Sequence, residues 1–120
     1  MHELSVAKHI LDLVEQYVSR EEADRVRAVR MKVGEQAGIV RESLEFGFNI
    51  LAAESPYRNA FLEIETTPFR IECASCGAIT TNEFGIVQCS TCGSMETKAL
   101  SGYELNITEI ELEEPTPEVA

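Results

Sequence analysis

The sequence is poor in basic residues, which occupy 10 of its 120 positions against 21 acidic ones. The net charge of −11 disfavours nucleic-acid binding, because affinity for a phosphate backbone comes largely from Lys and Arg that displace its counterions. The basic residues are also unevenly placed, and none follows Lys98. We therefore expect no nucleic-acid partner.

Long apolar segments are missing as well. No apolar run approaches the roughly 20 residues that a membrane-spanning helix needs. The first residues show no basic segment followed by an apolar one, as a signal peptide would. We therefore expect a soluble, cytoplasmic protein without a membrane partner. Thiols stay reduced in that compartment, so cysteines there favour metal binding over disulfide formation.

The sequence also lacks recognisable catalytic motifs. It contains no Ser/His/Asp, HExxH or phosphate-loop pattern, and its two histidines, His2 and His9, both lie within the first nine residues. We therefore predict that the protein is not an enzyme. His9 is expected to face solvent or to pack on a helix rather than to bind a metal.

The apolar periodicity predicts an α+β fold. Spacings of three and four residues predict an amphipathic helix near the N-terminus and a second helix around residues 40–51, and alternation predicts strands at 25–33, 60–66 and 102–112. We expect one small sheet of about three strands, with both helices covering a face. The apolar stripe of the first helix consists of Leu4, Ala7, Leu11, Val14 and Val18.

The four cysteines form two C-x-x-C pairs, and a glycine follows each pair: the cysteines are Cys73, Cys76, Cys89 and Cys92. A two-residue gap lets both sulfurs of a pair bind one ion at ~2.3 Å, and the glycine suits a tight turn with positive φ. Four thiolates leave no open coordination position, which favours structural Zn²⁺. A rubredoxin-like iron and a redox disulfide pair remain alternatives.

The cysteine segment lies between two predicted strands. We therefore predict a discontinuous α/β domain formed by residues 1–68 and 101–113, with a zinc-ribbon-like knuckle domain inserted at 69–100. Residues 114–120 contain two prolines, and we expect them to form a flexible tail. Such an insert also suits domain swapping, so a monomer and a homodimer both remain open.

The N-terminus offers a second metal site. The amine of Met1, the following amide nitrogen and the imidazole of His2 can chelate one ion, with the Glu3 amide, the Glu3 carboxylate or water as a fourth donor. Amide nitrogens bind only metals that displace the amide proton, and nitrogen-rich square-planar geometry is typical of Ni²⁺ and Cu²⁺. On these residues alone, an exposed histidine without a role is the simpler interpretation.

Together, these features resemble the HypA/HybF family of hydrogenase maturation metallochaperones. The matching segments are residues 1–5, 34–35, 43–48, 62–64, 73–94, 101–105 and 110–112. The resemblance implies that Met1, His2 and Glu3 bind Ni²⁺ and that the four cysteines bind Zn²⁺.

The resemblance also implies partners. Family members carry nickel and pass it, with a partner GTPase, to the large subunit of nickel–iron hydrogenase, and some also serve urease with its accessory proteins. Some members are thought to add an acidic nickel ligand near the start of the second helix, but Val40 in this region has no carboxylate. The alternative function is a zinc-ribbon module that binds proteins or nucleic acids.

Overall fold

The structure, a computed structural model, describes residues 3–114. Within this range it contains the helices α1 (Glu3–Tyr17) and α2 (Arg41–Ala53) and a 3-10 helix (Arg20–Arg25). The strands are β1 (Val26–Gly34), β2 (Phe61–Thr67), β3 (Arg70–Cys73), β4 (Ile79–Thr81), β5 (Thr97–Ser101) and β6 (Leu105–Leu112). None of the helices in the described range is long and apolar enough to cross a membrane.

The strands form two three-stranded sheets, in the orders β2-β1-β6 and β4-β3-β5. The predicted α+β class, with a small sheet, two main helices and a knuckle, is confirmed. The second sheet was not predicted, and in it β3 pairs antiparallel with both β4 and β5. The predicted strand at 102–112 begins too early, because Gly102 has a φ of +116° and separates β5 from β6.

Most buried apolar side chains come from α1, α2, β1 and β2, and others, such as Tyr57, Phe69 and Ile71, lie outside these elements. In β1, Val26 and Ala28 are buried on one alternation and Val29, Met31 and Val33 on the other. This change of phase shows that β1 buries side chains on both faces.

The two helices approach each other closely at Gly47 of α2. A Cβ atom at this position would lie 3.5 Å from the side chain and 3.6 Å from the Cα of Leu4, and 3.7 Å from Ala7. The glycine therefore allows close helix packing. The expectation that Leu4 belongs to the buried stripe is wrong: Leu4 is 56% exposed, because it lies in the first turn of α1, where little protein covers it.

The clustered basic residues of β1 pair with glutamates of the neighbouring strands. Arg30 donates hydrogen bonds to Glu63 and Glu109 at 2.7 Å and to Glu111 at 3.0 Å. Arg27 forms an ion pair with Glu113 at 2.5 Å. The uneven charge distribution of the sequence is thus partly balanced within the sheet.

The chain divides into two compact units. The first, called here the helical unit, comprises Met1–Met31, Val40–Ile64 and Ile107–Ala120, and the second, the cysteine unit, comprises Lys32–Ile39 and Glu65–Asn106. The domain limits derived from the sequence stay a prediction, and most of the expected tail lies outside the described residues.

Candidate metal centres

Two knuckles of the same geometry present the cysteines. In the first, the N–H of Cys73, at the end of β3, donates to the Ala78 carbonyl, and the Cys73 carbonyl accepts from the N–H of Gly77. In the second, the N–H of Cys89 donates to the Ser94 carbonyl, and the Cys89 carbonyl accepts from the N–H of Gly93. Gly77 and Gly93 have φ values of +76° and +78°, so each turn needs the left-handed conformation that glycine adopts most easily.

The knuckles bring the four sulfurs together. The Sγ atoms of Cys73, Cys76, Cys89 and Cys92 all lie within 4.8 Å of one another. Cys73 Sγ is 3.6 Å from Cys92 Sγ, and Cys76 Sγ is 3.7 Å from Cys89 Sγ. Four sulfurs placed tetrahedrally at ~2.3 Å from one ion lie roughly 3.8 Å apart. The described cysteines therefore have the spacing of a four-thiolate metal site.

Backbone donors favour the thiolate of the first cysteine of each pair. The N–H groups of Cys92 and Thr91 donate to Cys89 and lower the pKa of its thiol to about 6. The N–H of Cys76 contributes most to a lowered pKa of Cys73. Both first cysteines are also buried, so these N–H groups replace water as the partners of the negative sulfurs.

The second cysteine of each pair is exposed, and its pKa is raised rather than lowered. The Ser94 N–H lowers the pKa of the Cys92 thiol, but hydrogen bonding with the neighbouring sulfurs, first that of Cys73, together with desolvation, raises it to about 12. The pKa of Cys76 is also raised: the Ala78 N–H lowers it, and desolvation and the sulfur of Cys89 outweigh that effect. Four negative sulfurs this close repel one another, and a divalent cation relieves that repulsion.

Only one of the three predicted nickel ligands can be located. Met1 and His2 lie outside the described residues. Glu3 is the first described residue of α1, and its Oε2 accepts a hydrogen bond of 3.4 Å from the N–H of Val40, the residue before α2. The carboxylate therefore lies at the N-terminus of α2, where a negative charge is favourable. His9 is exposed on α1, which agrees with the expectation of a solvent-facing histidine.

The cysteine unit contains a cluster that was not predicted from the sequence. It is called here the stem and consists of Gly34, Thr67, Gly102 and Glu104. Glu104 accepts hydrogen bonds from the Thr67 hydroxyl and the Gly102 N–H, both at 2.7 Å. The N–H of Gly34 donates to the Glu104 carbonyl at 2.8 Å, and a Cβ on Gly34 would lie 2.1 Å from the backbone of Gly102. The two glycines, at 34 and 102, were the available signal of this close backbone contact.

Comparison with known proteins identifies the class. The family model described as hydrogenase/urease nickel incorporation metallochaperone HypA matches residues 1–112. A hydrogenase maturation factor HypA from Chlorobium phaeobacteroides is 39% identical over 114 residues, covering 94% of this chain and all of the relative. Another from Roseiflexus is 31% identical over 119 residues, covering 98% of this chain and 97% of the relative.

Solved structures agree with this fold. The solution structure of the nickel metallochaperone HypA from Helicobacter pylori superimposes with a TM-score of 0.64 at 23% identity, covering 94% of this chain and 98% of that one. The chain belongs to the HypA family of nickel metallochaperones for hydrogenase maturation. The resemblance seen in the sequence is confirmed, and so is the prediction of a maturation factor rather than an enzyme.

Proposed function

We propose that the protein binds Ni²⁺ at its N-terminus and releases it to an acceptor protein. Membership of a nickel-incorporation family supports this proposal, together with the Met1-His2-Glu3 start. The terminal amine, backbone amide nitrogens and the His2 imidazole form a nitrogen-rich donor set that suits Ni²⁺. A site at a chain end can open when a few residues move, which suits a carrier that must release its ion.

The position of the Glu3 side chain bears on which Glu3 atom could bind nickel. Its Oε2 accepts a hydrogen bond of 3.4 Å from the N–H of Val40, so this oxygen lies at the start of α2. Binding nickel through Oε2 would compete with this hydrogen bond, whereas the backbone amide of Glu3 would leave it in place. We therefore assign the backbone amide of Glu3, rather than its side chain, as the preferred fourth donor, with water as the alternative.

The four cysteines are proposed to hold a structural Zn²⁺. The sulfur–sulfur distances of 3.6 and 3.7 Å support this assignment, because they suit a tetrahedral ion without an open position. Backbone N–H groups orient two of the sulfurs before the ion binds. The ion would then fix the two knuckles to each other and leave nickel transfer to the other end of the chain.

Delivery is proposed to involve a nickel-handling GTPase and the hydrogenase large subunit in the cytoplasm. The family description includes urease, so urease accessory proteins are further candidate partners. The acidic surface suits partners with basic contact residues, since like charges would repel.

The nickel site is tested with the full-length, zinc-loaded protein beginning at Met1. Isothermal titration with Ni²⁺ should show a marked loss of affinity, at least about tenfold, in His2→Ala and in a form with one additional residue before Met1, because each removes or displaces a donor. His9→Ala is the matched control, since this exposed histidine on α1 should not affect nickel binding. Equal nickel affinity in the extended and native forms would refute the terminal site.

A further inference from the structure

An apolar groove of about 430 Å³ lies beside the start of α1 in the helical unit. It is lined by Glu3, Leu4, Ser43, Phe46, Gly47 and Ile50. The apolar walls are largely uncovered in the described structure: Leu4 is 56%, Phe46 69% and Ile50 43% exposed. The groove therefore offers apolar side chains, including the Phe46 ring, that another apolar group could contact.

The first described residue of the chain lies at this groove. Glu3 lines the groove, and two contacts fix its place: the Glu3 carboxylate accepts the Val40 N–H, and the adjacent Leu4 backbone packs over Gly47. Two residues precede Glu3. Two residues span at most about 7 Å, so the Met1 side chain starts within reach of the groove wall.

Of those two residues, only Met1 has an apolar side chain. Methionine is flexible and polarisable, and it makes favourable contacts with aromatic rings such as that of Phe46. The polar imidazole of His2 does not suit an apolar groove.

We propose that the Met1 side chain occupies this groove against Phe46 and thereby positions the terminal amine for nickel. The role for nickel rests on the proposed terminal site, whereas the anchoring itself does not. Anchoring would restrict the terminus before metal binds and so raise nickel affinity, because less freedom is lost on binding.

Nuclear magnetic resonance of the full-length, zinc-loaded protein with ¹³C-labelled methionine methyl groups tests the anchor without nickel. Of the three methionines, Met31 is buried and Met95 is 63% exposed, so the Met1 signal can be assigned from Met31→Leu and Met95→Leu. We expect nuclear Overhauser contacts between the Met1 methyl group and the Phe46 ring, with an upfield methyl shift that Phe46→Ala removes.

The matched control is Phe61→Ala, which removes another exposed ring of the helical unit that does not line the groove. Phe61→Ala should leave the Met1 methyl shift and nickel affinity unchanged, whereas Phe46→Ala should weaken nickel binding about three- to tenfold. A Met1 methyl group with a free-peptide shift and no contact to Phe46 would overturn the anchor.

Two further results would count against the proposal. Unchanged nickel affinity in Phe46→Ala would overturn the positioning role. Phe46 signals that change with protein concentration, without a Met1 contact, would instead identify a second copy of the chain as the occupant. His2→Ala remains the separate test of the nickel site, so an intact Met1–Phe46 contact with no effect of His2→Ala would support the anchor and refute only the terminal metal site.

Discussion

The cysteine unit and the helical unit provide two very different environments for a metal. In the cysteine unit, the four candidate ligands come from two loops inside the chain, and backbone N–H groups already orient two sulfurs that are buried. In the helical unit, the candidate ligands belong to the first three residues, and Glu3 is the only one whose place is described. The first arrangement suits retention of an ion and the second suits its exchange.

This difference follows from how many contacts must break before a metal leaves. An ion bound to the four sulfurs would be held by ligands from two knuckles, each closed by a pair of backbone hydrogen bonds. Releasing an ion from a chain end requires only a short segment to move. A carrier protein therefore gains from having both, because a stable unit preserves the fold while the terminus exchanges its cargo.

The largest effect is expected from replacing a buried cysteine. Cys89→Ser should lower zinc affinity by more than the roughly 10- to 100-fold that losing an outer partner costs, because it removes a ligand that two backbone N–H groups orient. Amide signals of the cysteine unit should shift or broaden, while those of α1 and α2 remain. Competition with a chelator and two-dimensional amide spectra measure both effects.

Cys92→Ser separates ligand loss from loss of the buried sulfur. It also removes one of four ligands, but its residue is exposed and accepts a single N–H, from Ser94. We expect zinc to be lost from this variant with less disturbance of the amide spectrum than in Cys89→Ser. Full zinc retention in both variants would contradict the four-thiolate site.

A pair of glycine variants compares close packing in the two units. In the cysteine unit, Gly34→Ala places a Cβ about 2.1 Å from the backbone of Gly102, where no flexible side chain can move away. We expect a loss of unfolding free energy of about 3 kcal/mol or more, as for severe overpacking. Thermal and urea unfolding measure this loss.

Gly47→Ala is the matched variant in the helical unit. Its nearest neighbours would lie at 3.5 Å or beyond, which is ordinary van der Waals contact. Alanine also has a higher helix propensity than glycine, by ~1 kcal/mol. We therefore expect α2 to tolerate this change with unchanged or slightly higher stability. A greater loss in Gly47→Ala than in Gly34→Ala would show that this account of the two contacts is wrong.

The helical unit could be predicted largely from periodicity, because its elements bury regular apolar faces. Both main helices and β1 were identified in this way. Leu4 was misassigned, since periodicity gives the direction of a side chain but not whether protein covers it. Depth of burial depends on tertiary packing at the helix end.

The cysteine unit was only partly predictable. C-x-x-C spacing predicts the two knuckles, since it reflects local geometry. The sheet β4-β3-β5 was not predicted. Its strand β4 has only three residues and the faces of β5 are mostly exposed, so neither strand shows a clear alternation. Likewise, the stem pairs Thr67 with Glu104 across 37 positions, a contact that no local pattern reveals.

The smallest expected effect concerns the Glu104 carboxylate in that stem. The Thr67 hydroxyl lowers the pKa of Glu104 most, and the Gly102 N–H adds to this effect. A carboxyl group whose folded-state pKa is lowered stabilises the protein above its unfolded-state pKa, ~4.3, and this contribution is lost as the pH falls through the lower folded-state value. The resulting stabilisation therefore depends on pH only under acidic conditions.

Glu104→Gln should therefore reduce stability at pH 7 by about 1 kcal/mol, because a neutral amide oxygen accepts the same two hydrogen bonds more weakly than a carboxylate. The difference from the unmodified protein should shrink as the pH falls below the unfolded-state pKa of ~4.3 and through the lower folded-state pKa, because the unmodified carboxyl group then becomes protonated as well. Glu72→Gln on β3, an exposed position of the same unit, is the control and should change stability little at either pH. Urea unfolding at pH 7 and near pH 3.5 measures both variants, and a difference for Glu104→Gln that stays constant between these pH values would show that hydrogen-bond geometry, rather than the carboxylate charge, closes the stem.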